Sequence, residues 1–451
     1  MKFESINPFN GEVIASYNEM NMDEVHILIN KMQSAYKQWR KTTIKERSEL
    51  MLKVAENLKQ NVNEYAKTIT LEVGKPIRES KAEVLKCASV CEYYANHTFA
   101  FLQKENIETD ASESYVQYDP MGIVFAIMPW NFPFWQVFRF ASPALMAGNA
   151  ALLKHAPNVF GSAQLIENIF QEAGFPKNIF RQLLIHHDNT ESIIAHPHIK
   201  AVTLTGSERA GQSVAMLAGK YLKKVVLELG GSNAFIVLKD ADKEKTIKTA
   251  LTARMLNSGQ SCIAAKRLIV VPEAVDWFVS GLVDAVKQLK SGDPILEETQ
   301  VGPLARRDLA EQLHQQMNQS IDQGAKLLCG GKMIGAYHEP TVLDHVRPGM
   351  PAFDEETFGP LAAIIRADNE EHALELARQT RYGLGVSICT TDIDKAKEMA
   401  YAFDDGACFI NELVKSDPRL PFGGTGISGY GRELAKDGMM EFVNKKTVFV
   451  K

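Results

Sequence analysis

Residues 122–129, GIVFAIMP, decide the fold. Six apolar residues without a charge, closed by proline, are too short for a helix and fit a strand buried on both faces. The next stretch, FWQVFRFASPALMAG (134–148), has the length of a helix, and AALLKHAP (150–157) returns to the short apolar pattern. Working outward, the alternation continues through FGSAQLIENIFQEAG (160–174), IFRQLLIH (179–186), IKAVTLTGS (199–207), ERAGQSVAMLAGKYL (208–222) and KKVVLELGG (223–231). Strands of about five residues alternating with helices of about 12 are the mark of β-α-β crossovers and a parallel sheet. A nucleotide-type α/β domain follows from this pattern. Residues 22 to 104 have helical periodicity with few breakers. After Gly231 the alternation restarts with NAFIVLKD, so a second α/β unit begins near residue 230 and runs to about residue 428. The tail KKTVFVK reads as an exposed strand in need of a partner, which another subunit can supply.

The chain has 451 residues, enough for about two or three domains with large cores. Its 50 Lys and Arg against 55 Asp and Glu give a net charge of -5, which argues against a global attraction to nucleic acid or an anionic membrane. The N-terminus lacks the apolar core of a secretory signal and no uncharged apolar stretch of about 18 residues occurs, so a soluble protein is expected. Six irregularly spaced cysteines fit a reducing cytoplasm better than a disulfide framework. Cys87 and Cys91, at i and i+4, are expected in an apolar core; His186-His187 and His196-x-His198 are expected on loops or the surface; no metal site is expected.

Gly424-x-Gly426-x-x-Gly429 matches the dinucleotide fingerprint by spacing, but it follows Pro421-Phe422 instead of a strand and no β-α-β unit follows it. Gly206-Ser207-x-x-x-Gly211 is the better phosphate candidate, since it ends a strand and opens a helix whose N–H groups face outward. Plain N-capping by Ser207 is the competing reading. Cys262, in NSGQSCIAAKR, stands among small and polar residues on a turn before a strand, where a thiol can act as a nucleophile; an inert buried thiol is the alternative. Glu228 closes the strand KKVVL before two glycines, at the carboxyl end where α/β enzymes place chemistry, although a turn-capping acid has the same look. Asn131, between Trp130 and Phe132-Pro133, can donate to a developing oxyanion or simply serve a turn.

PWNFP, LKHAP, TGS, ELGGSN, GQSC, EETFGP and PFGGTGISGYGRE, in this order across nearly the whole chain, resemble the aldehyde dehydrogenase superfamily. The resemblance implies an NAD(P)-binding Rossmann-type domain over 1–108 and 119–228, an α/β catalytic domain over 229–428, and oligomerisation segments at 109–118 and 429–451 that form a bridging hairpin in a dimer or larger homo-oligomer. It implies Cys262 as the nucleophile that forms a thiohemiacetal and then a thioester, Asn131 with the Cys262 N–H as the oxyanion donors, and Glu228 as the base for hydrolysis. For NAD or NADP it implies Lys154 and Glu356 at the two riboses, Gly206 and Ser207 at the pyrophosphate, and Trp130, Leu229 and Phe358 around the nicotinamide. Pro157 stands where strictly NAD-using members often carry an acid, so NADP is expected to be tolerated.

The wording of LKHAPNV, LTGSERAGQSVA and SDPRLPFGGTGISGYGREL is similar to compact bacterial succinate-semialdehyde dehydrogenases. That likeness implies a carboxylate-bearing aldehyde. Arg139, on one helix face with Trp135, is the expected receiver of the carboxylate, together with Ser416. Two alternatives stand beside this reading: an internal ion pair for Arg139, and a broad-range aldehyde dehydrogenase with a hydrophobic funnel made by Trp135, Phe138 and Phe422.

Overall fold

The computed structural model describes residues 2–451. Among them, an N-terminal hairpin (Lys2–Ile6 with Val13–Asn18) precedes four helices, Met22–Trp39, Ile44–Gln60, Val62–Val73 and Ile77–Phe101. The first two helices start on capping boxes, Asn21 with Glu24 and Thr43 with Glu46, in which side chains satisfy N–H groups that a helix start leaves without partners.

The short apolar runs form a six-stranded sheet. Its order is Gly429–Tyr430, Lys224–Glu228, Ile199–Thr205, Ile123–Met128, Ala150–His155, Phe180–Leu183. The last five strands are parallel. The earliest strand of the five, Ile123–Met128, stands in the middle, so the winding reverses between it and Ile199–Thr205. In a doubly wound sheet the crevice beyond the carboxyl ends at such a reversal is where ligands bind.

Asn233–Val237 opens a second sheet, of order Lys326–Cys329, Thr341–Asp344, Leu361–Arg366, Ala265–Val270, Asn233–Val237, Val386–Cys389, Cys408–Ile410. Two hydrophobic cores divide accordingly. One runs from Val25 to Leu229 with a few later residues, and the other from Ala234 to Met399. Only residues 229–232 separate the last strand of the first sheet from this opening strand of the second.

A third sheet pairs Val443–Val450 with Glu113–Pro120, and the latter with Glu105–Asn106. The tail strand thus finds a partner within its own chain. The rest of 429–451 departs from the sequence expectation. Gly429–Tyr430 zips onto Leu227–Glu228 of the first sheet, and Met439 and Phe442 are buried in the first core. Gly429 permits this through φ 113° and a backbone approach in which a Cβ would lie 2.0 Å from the Leu227 oxygen. No helix among the described residues is long and apolar enough to cross a membrane. Cys87 and Cys91 are free and buried in the first core, and Cys389 is free and buried in the second.

Candidate active site

The winding reversal opens into a crevice of about 640 Å³ lined by Pro129, Trp130 and Asn131 from one strand end and by Thr205, Gly206 and Ser207 from the other. Leu229, Gly230, Cys262, Glu356 and Phe358 complete it from the second half of the chain. A larger hollow of about 920 Å³ lies between the N-terminal hairpin and residues 303–307 and 334–337. Its lining has no thiol and no buried carboxylate, so the chemistry belongs to the smaller crevice.

Cys262 is delivered by a strained turn. Asn257, Ser258 and Gly259 all have left-handed φ, 54°, 51° and 74°, a conformation costly for the two non-glycine residues. Partners hold it. The Asn257 N–H donates to Glu79 Oε2 at 2.6 Å, its side chain donates to the Asn131 carbonyl at 2.7 Å, and Gln260 Oε1 accepts from the Ala305 N–H at 2.9 Å. Gly259 is required twice, by its φ and because a Cβ would come 2.2 Å from the Gly359 oxygen. Burial pushes the Glu79 carboxyl up to about 7.

Burial likewise pushes the Cys262 thiol up to about 11, against the opposing fields of Lys266 and Arg139. The Lys266 ammonium donates to the Ser261 and Cys262 carbonyls at 2.8 and 2.9 Å and pairs with Glu356 at 3.2 Å. Cys262 therefore rests as a neutral thiol, with the Lys266 side chain behind its backbone.

Asn131 is 4% exposed and oriented from both ends. Its Oδ1 accepts from Gln136 Nε2 at 3.0 Å, so its NH2 group faces the nucleophile's segment, donating to the Gln260 carbonyl at 3.0 Å. An amide nitrogen has two N–H bonds, and one remains for an oxyanion. Gln136 was not picked out from sequence; its place in the first turn of the Trp135–Met146 helix was the available signal.

Glu228 is buried, caps no helix, and its Oε1 has no hydrogen-bond partner. Burial raises its carboxyl well above the usual range, Arg139 pulls it down and Glu433 pushes it up. The space around it is closed by Gly423, where a Cβ would lie 2.8 Å from Glu228 Oε1.

Arg139 requires a correction. Its guanidinium forms a fully buried ion pair with Glu433, donates to Thr205 Oγ1 at 3.2 Å and lies 4.7 Å from the Phe422 ring centre. The internal partner neutralises the charge that the sequence reading reserved for a substrate. Phe138 also leaves the expected funnel: it is wholly buried and stacked on Phe134 and Phe170. Trp135 and Ser416 do meet, through a residue that the sequence reading passed over. Lys86 Nζ lies 2.7 Å from Ser416 Oγ and 4.1 Å from the Trp135 ring centre.

Of the residues expected at a dinucleotide, Trp130, Gly206, Ser207, Leu229, Glu356 and Phe358 line the crevice, whereas Lys154 and Pro157 are not part of that lining. Ser207 Oγ caps the Glu208–Lys220 helix by accepting from the Ala210 N–H. A Cβ on Gly206 would meet nothing closer than 3.6 Å, leaving its backbone open to the crevice. Lys154 is buried without an ion-pair partner among the described residues, and burial lowers its ammonium to about 8. Pro157 is exposed on the turn after it. Glu356 Oε1 accepts from the Gly231 N–H at 3.0 Å, and Phe358 meets Trp130 edge-to-face at 5.8 Å. Leu229 packs against Gly211. The Gly424–Gly429 stretch joins the sheet edge as a loop. His186, His187 and Asp188 bring ligand atoms within 4.8 Å of one another on a partly exposed turn, as three consecutive side chains readily do.

A thiol and an oriented amide lining a nucleotide-type crevice, with a buried carboxyl beside them, form a set suited to covalent capture of a carbonyl and hydrolysis of the adduct. Comparison with known proteins points the same way. A succinate semialdehyde dehydrogenase [NAD(P)+] of Escherichia coli is 46% identical over 448 residues, 99% of this chain and 97% of that protein. A succinate-semialdehyde dehydrogenase [NADP(+)] of Deinococcus radiodurans is 42% identical over 99% of this chain and 94% of its own length. Among solved structures, succinic semialdehyde dehydrogenase from Streptococcus pyogenes in complex with NADP+ superposes with a TM-score of 0.97 at 36% identity, covering 99% of both chains. The family model described as "Aldehyde dehydrogenase family" matches residues 1–448, and the chain belongs to that family.

Proposed function

We propose that this chain oxidises succinic semialdehyde to succinate with NADP or NAD. The observation that carries the reading is that Cys262 and Asn131 line one crevice at the winding reversal, with the buried Glu228 carboxyl behind Leu229 and Gly230 and near enough for its charge to act on the Cys262 thiol. The names of full-length relatives at 42–46% identity support the substrate. Lys154, Gly206, Ser207, Glu356, Phe358 and Trp130 would hold the dinucleotide, which supplies a hydride acceptor when bound. The exposed Pro157 puts no carboxylate of its own beside a ribose phosphate, and the unpaired Lys154 favours one.

The Cys262 thiol gives its proton to water in the crevice, its sulfur attacks the aldehyde carbon, and the carbonyl oxygen becomes an oxyanion held by the free Asn131 N–H and the Cys262 backbone N–H. This charge develops only in the transition state and adduct, so the fixed donors lower the barrier rather than merely binding substrate. Once the adduct is oxidised to a thioester, Glu228 accepts a proton from an incoming water, which attacks the acyl carbon and releases the thiol and the acid.

The Val443–Val450 strand has a free outer edge, which supports a homo-oligomer of at least two copies; light scattering on the purified protein reads the mass. The activity is tested by reduced-cofactor formation from succinic semialdehyde, butanal and benzaldehyde, each with NAD and NADP. A kcat/KM at least roughly tenfold higher for the aldehyde-acid, about 1.4 kcal/mol, is expected. Equal or better rates with the neutral aldehydes would move the reading to a broad-range dehydrogenase.

A further inference from the structure

We infer that Lys86, with the Ser416 hydroxyl, is the receptor for the carboxylate of the substrate. The inference rests on the activity proposed above and assigns its specificity to a residue on the Ile77–Phe101 helix.

The charges around Lys86 show why it is available. Glu83, one turn earlier, is committed to a fully buried ion pair with Lys75, and its other oxygen accepts the Phe134 and Trp135 N–H groups at 2.9 Å each. Asp417 is taken by Arg419, at 2.8 and 2.6 Å. Glu433 is taken by Arg139. Cys87, on the same helix, is held as a neutral thiol by burial. Every acid near the ammonium already has a cation, and among the described residues no carboxylate lies within ion-pair distance of Lys86 itself. Lys86 is the cation left over.

Its immediate surroundings suit an anion. Ser416 is 7% exposed, and its oxygen accepts from Lys86, so the hydroxyl proton is free to be donated onward. The Trp135 ring covers one side of the ammonium. Burial lowers Lys86 to about 8, which keeps most of it charged at neutral pH. Trp135, which the ammonium faces, lies one helical turn before Arg139, and Arg139 donates to Thr205 of the crevice lining, so the Lys86–Ser416 pair lies beside the crevice. A carboxylate arriving between Lys86 and Ser416 would gain a charge-assisted hydrogen bond and a neutral one.

The test compares the wild type with Lys86→Met and Lys86→Arg. Oxidation of succinic semialdehyde and of butanal is measured, together with inhibition of butanal oxidation by succinate. Lys86→Met is expected to raise KM for succinic semialdehyde roughly 10- to 100-fold, the range for losing a hydrogen bond to a charged group. It should weaken succinate inhibition similarly and change kcat/KM for butanal less than about threefold by the same reasoning, since butanal has no charge to lose. Lys86→Arg should retain most of the preference. Equal effects on both aldehydes, or unaltered succinate inhibition, would overturn the inference. The two proposals fail separately. A wild type that favours butanal yet loses succinate inhibition in Lys86→Met sinks the substrate reading and keeps the anion receptor. A wild type that favours succinic semialdehyde and keeps that preference in Lys86→Met does the reverse.

Discussion

Arg139→Met removes a cation from between two buried carboxyl groups, and the structure says what should follow. Arg139 and Glu433 are 3% and 2% exposed at the side chain, so the variant leaves Glu433 charged and unpartnered or forces it to take up a proton. Breaking a buried pair by removing one partner costs about 3–5 kcal/mol, whereas removing both is often close to neutral. Arg139→Met should therefore lower stability by about that amount, and Arg139→Met combined with Glu433→Gln should recover most of it. Chemistry should shift as well. Arg139 pulls the Glu228 carboxyl down and Glu433 pushes it up, so in the single variant the base loses its proton only at higher pH. The pH limb of thioester hydrolysis should move to the alkaline side, and the double variant should move it back part of the way. Urea unfolding followed by tryptophan fluorescence gives the stabilities, and rapid-quench turnover across pH gives the hydrolysis limb. A double variant no more stable than Arg139→Met, or an unmoved limb in Arg139→Met, would refute the shared-charge argument.

Glu228→Gln should still yield close to one equivalent of reduced cofactor per site in the first turnover, and then stall at a thioester, with steady-state turnover down roughly 10²- to 10⁴-fold; a stopped-flow burst without a following phase checks this. Because burial holds the Cys262 thiol at about 11, its alkylation by iodoacetamide in the cofactor-free protein should rise close to tenfold per pH unit from neutral pH toward that value, as the thiolate fraction does. Gln136→Leu frees the Asn131 amide and should slow the acylation burst roughly 2- to 13-fold, about 0.5–1.5 kcal/mol for a neutral hydrogen bond, with little change in KM. Gly259→Ala should abolish most activity, since its Cβ collides with the Gly359 oxygen; a variant of unaltered burst rate would show that the turn has slack.

Much of this was legible in the sequence because it is local. Strand–helix alternation and the ends of short apolar runs placed Asn131, Ser207 and Glu228 at carboxyl ends of strands, and the glycine and polar residues around Cys262 marked its turn. What escaped depends on long-range pairing. Nothing in FWQVFRFASPALMAG tells that Arg139 meets Glu433, because the glutamate arrives on a segment that folds back along Glu228's strand. Nothing in the sequence around Lys86 marks it, since a lysine on an amphipathic helix belongs by default to the solvated face. Only the packing of that helix against Trp135, with Ser416 closing from the far end of the chain, makes it an enclosed cation. Residues 429–442 misled for a related reason: a glycine-rich run gives no hydrophobic pattern from which its partner strand can be read.

The connection Leu229–Ser232 has a consequence for engineering. It carries the chain from the residue holding the base to the first strand of the other half, and Glu356 ties its middle through the Gly231 N–H. Most surface connections absorb extra residues at small cost. Here the link is a ruler: one inserted residue would change the distance between the sheet that ends in Glu228 and the sheet whose neighbouring strand follows Cys262. Both halves could keep their own cores and the protein could still lose turnover. Length variation can be grafted into this scaffold at the exposed hairpin tip Ile334–Gly335, where a Cβ on the glycine would meet nothing within 4 Å, far more safely than at this four-residue joint.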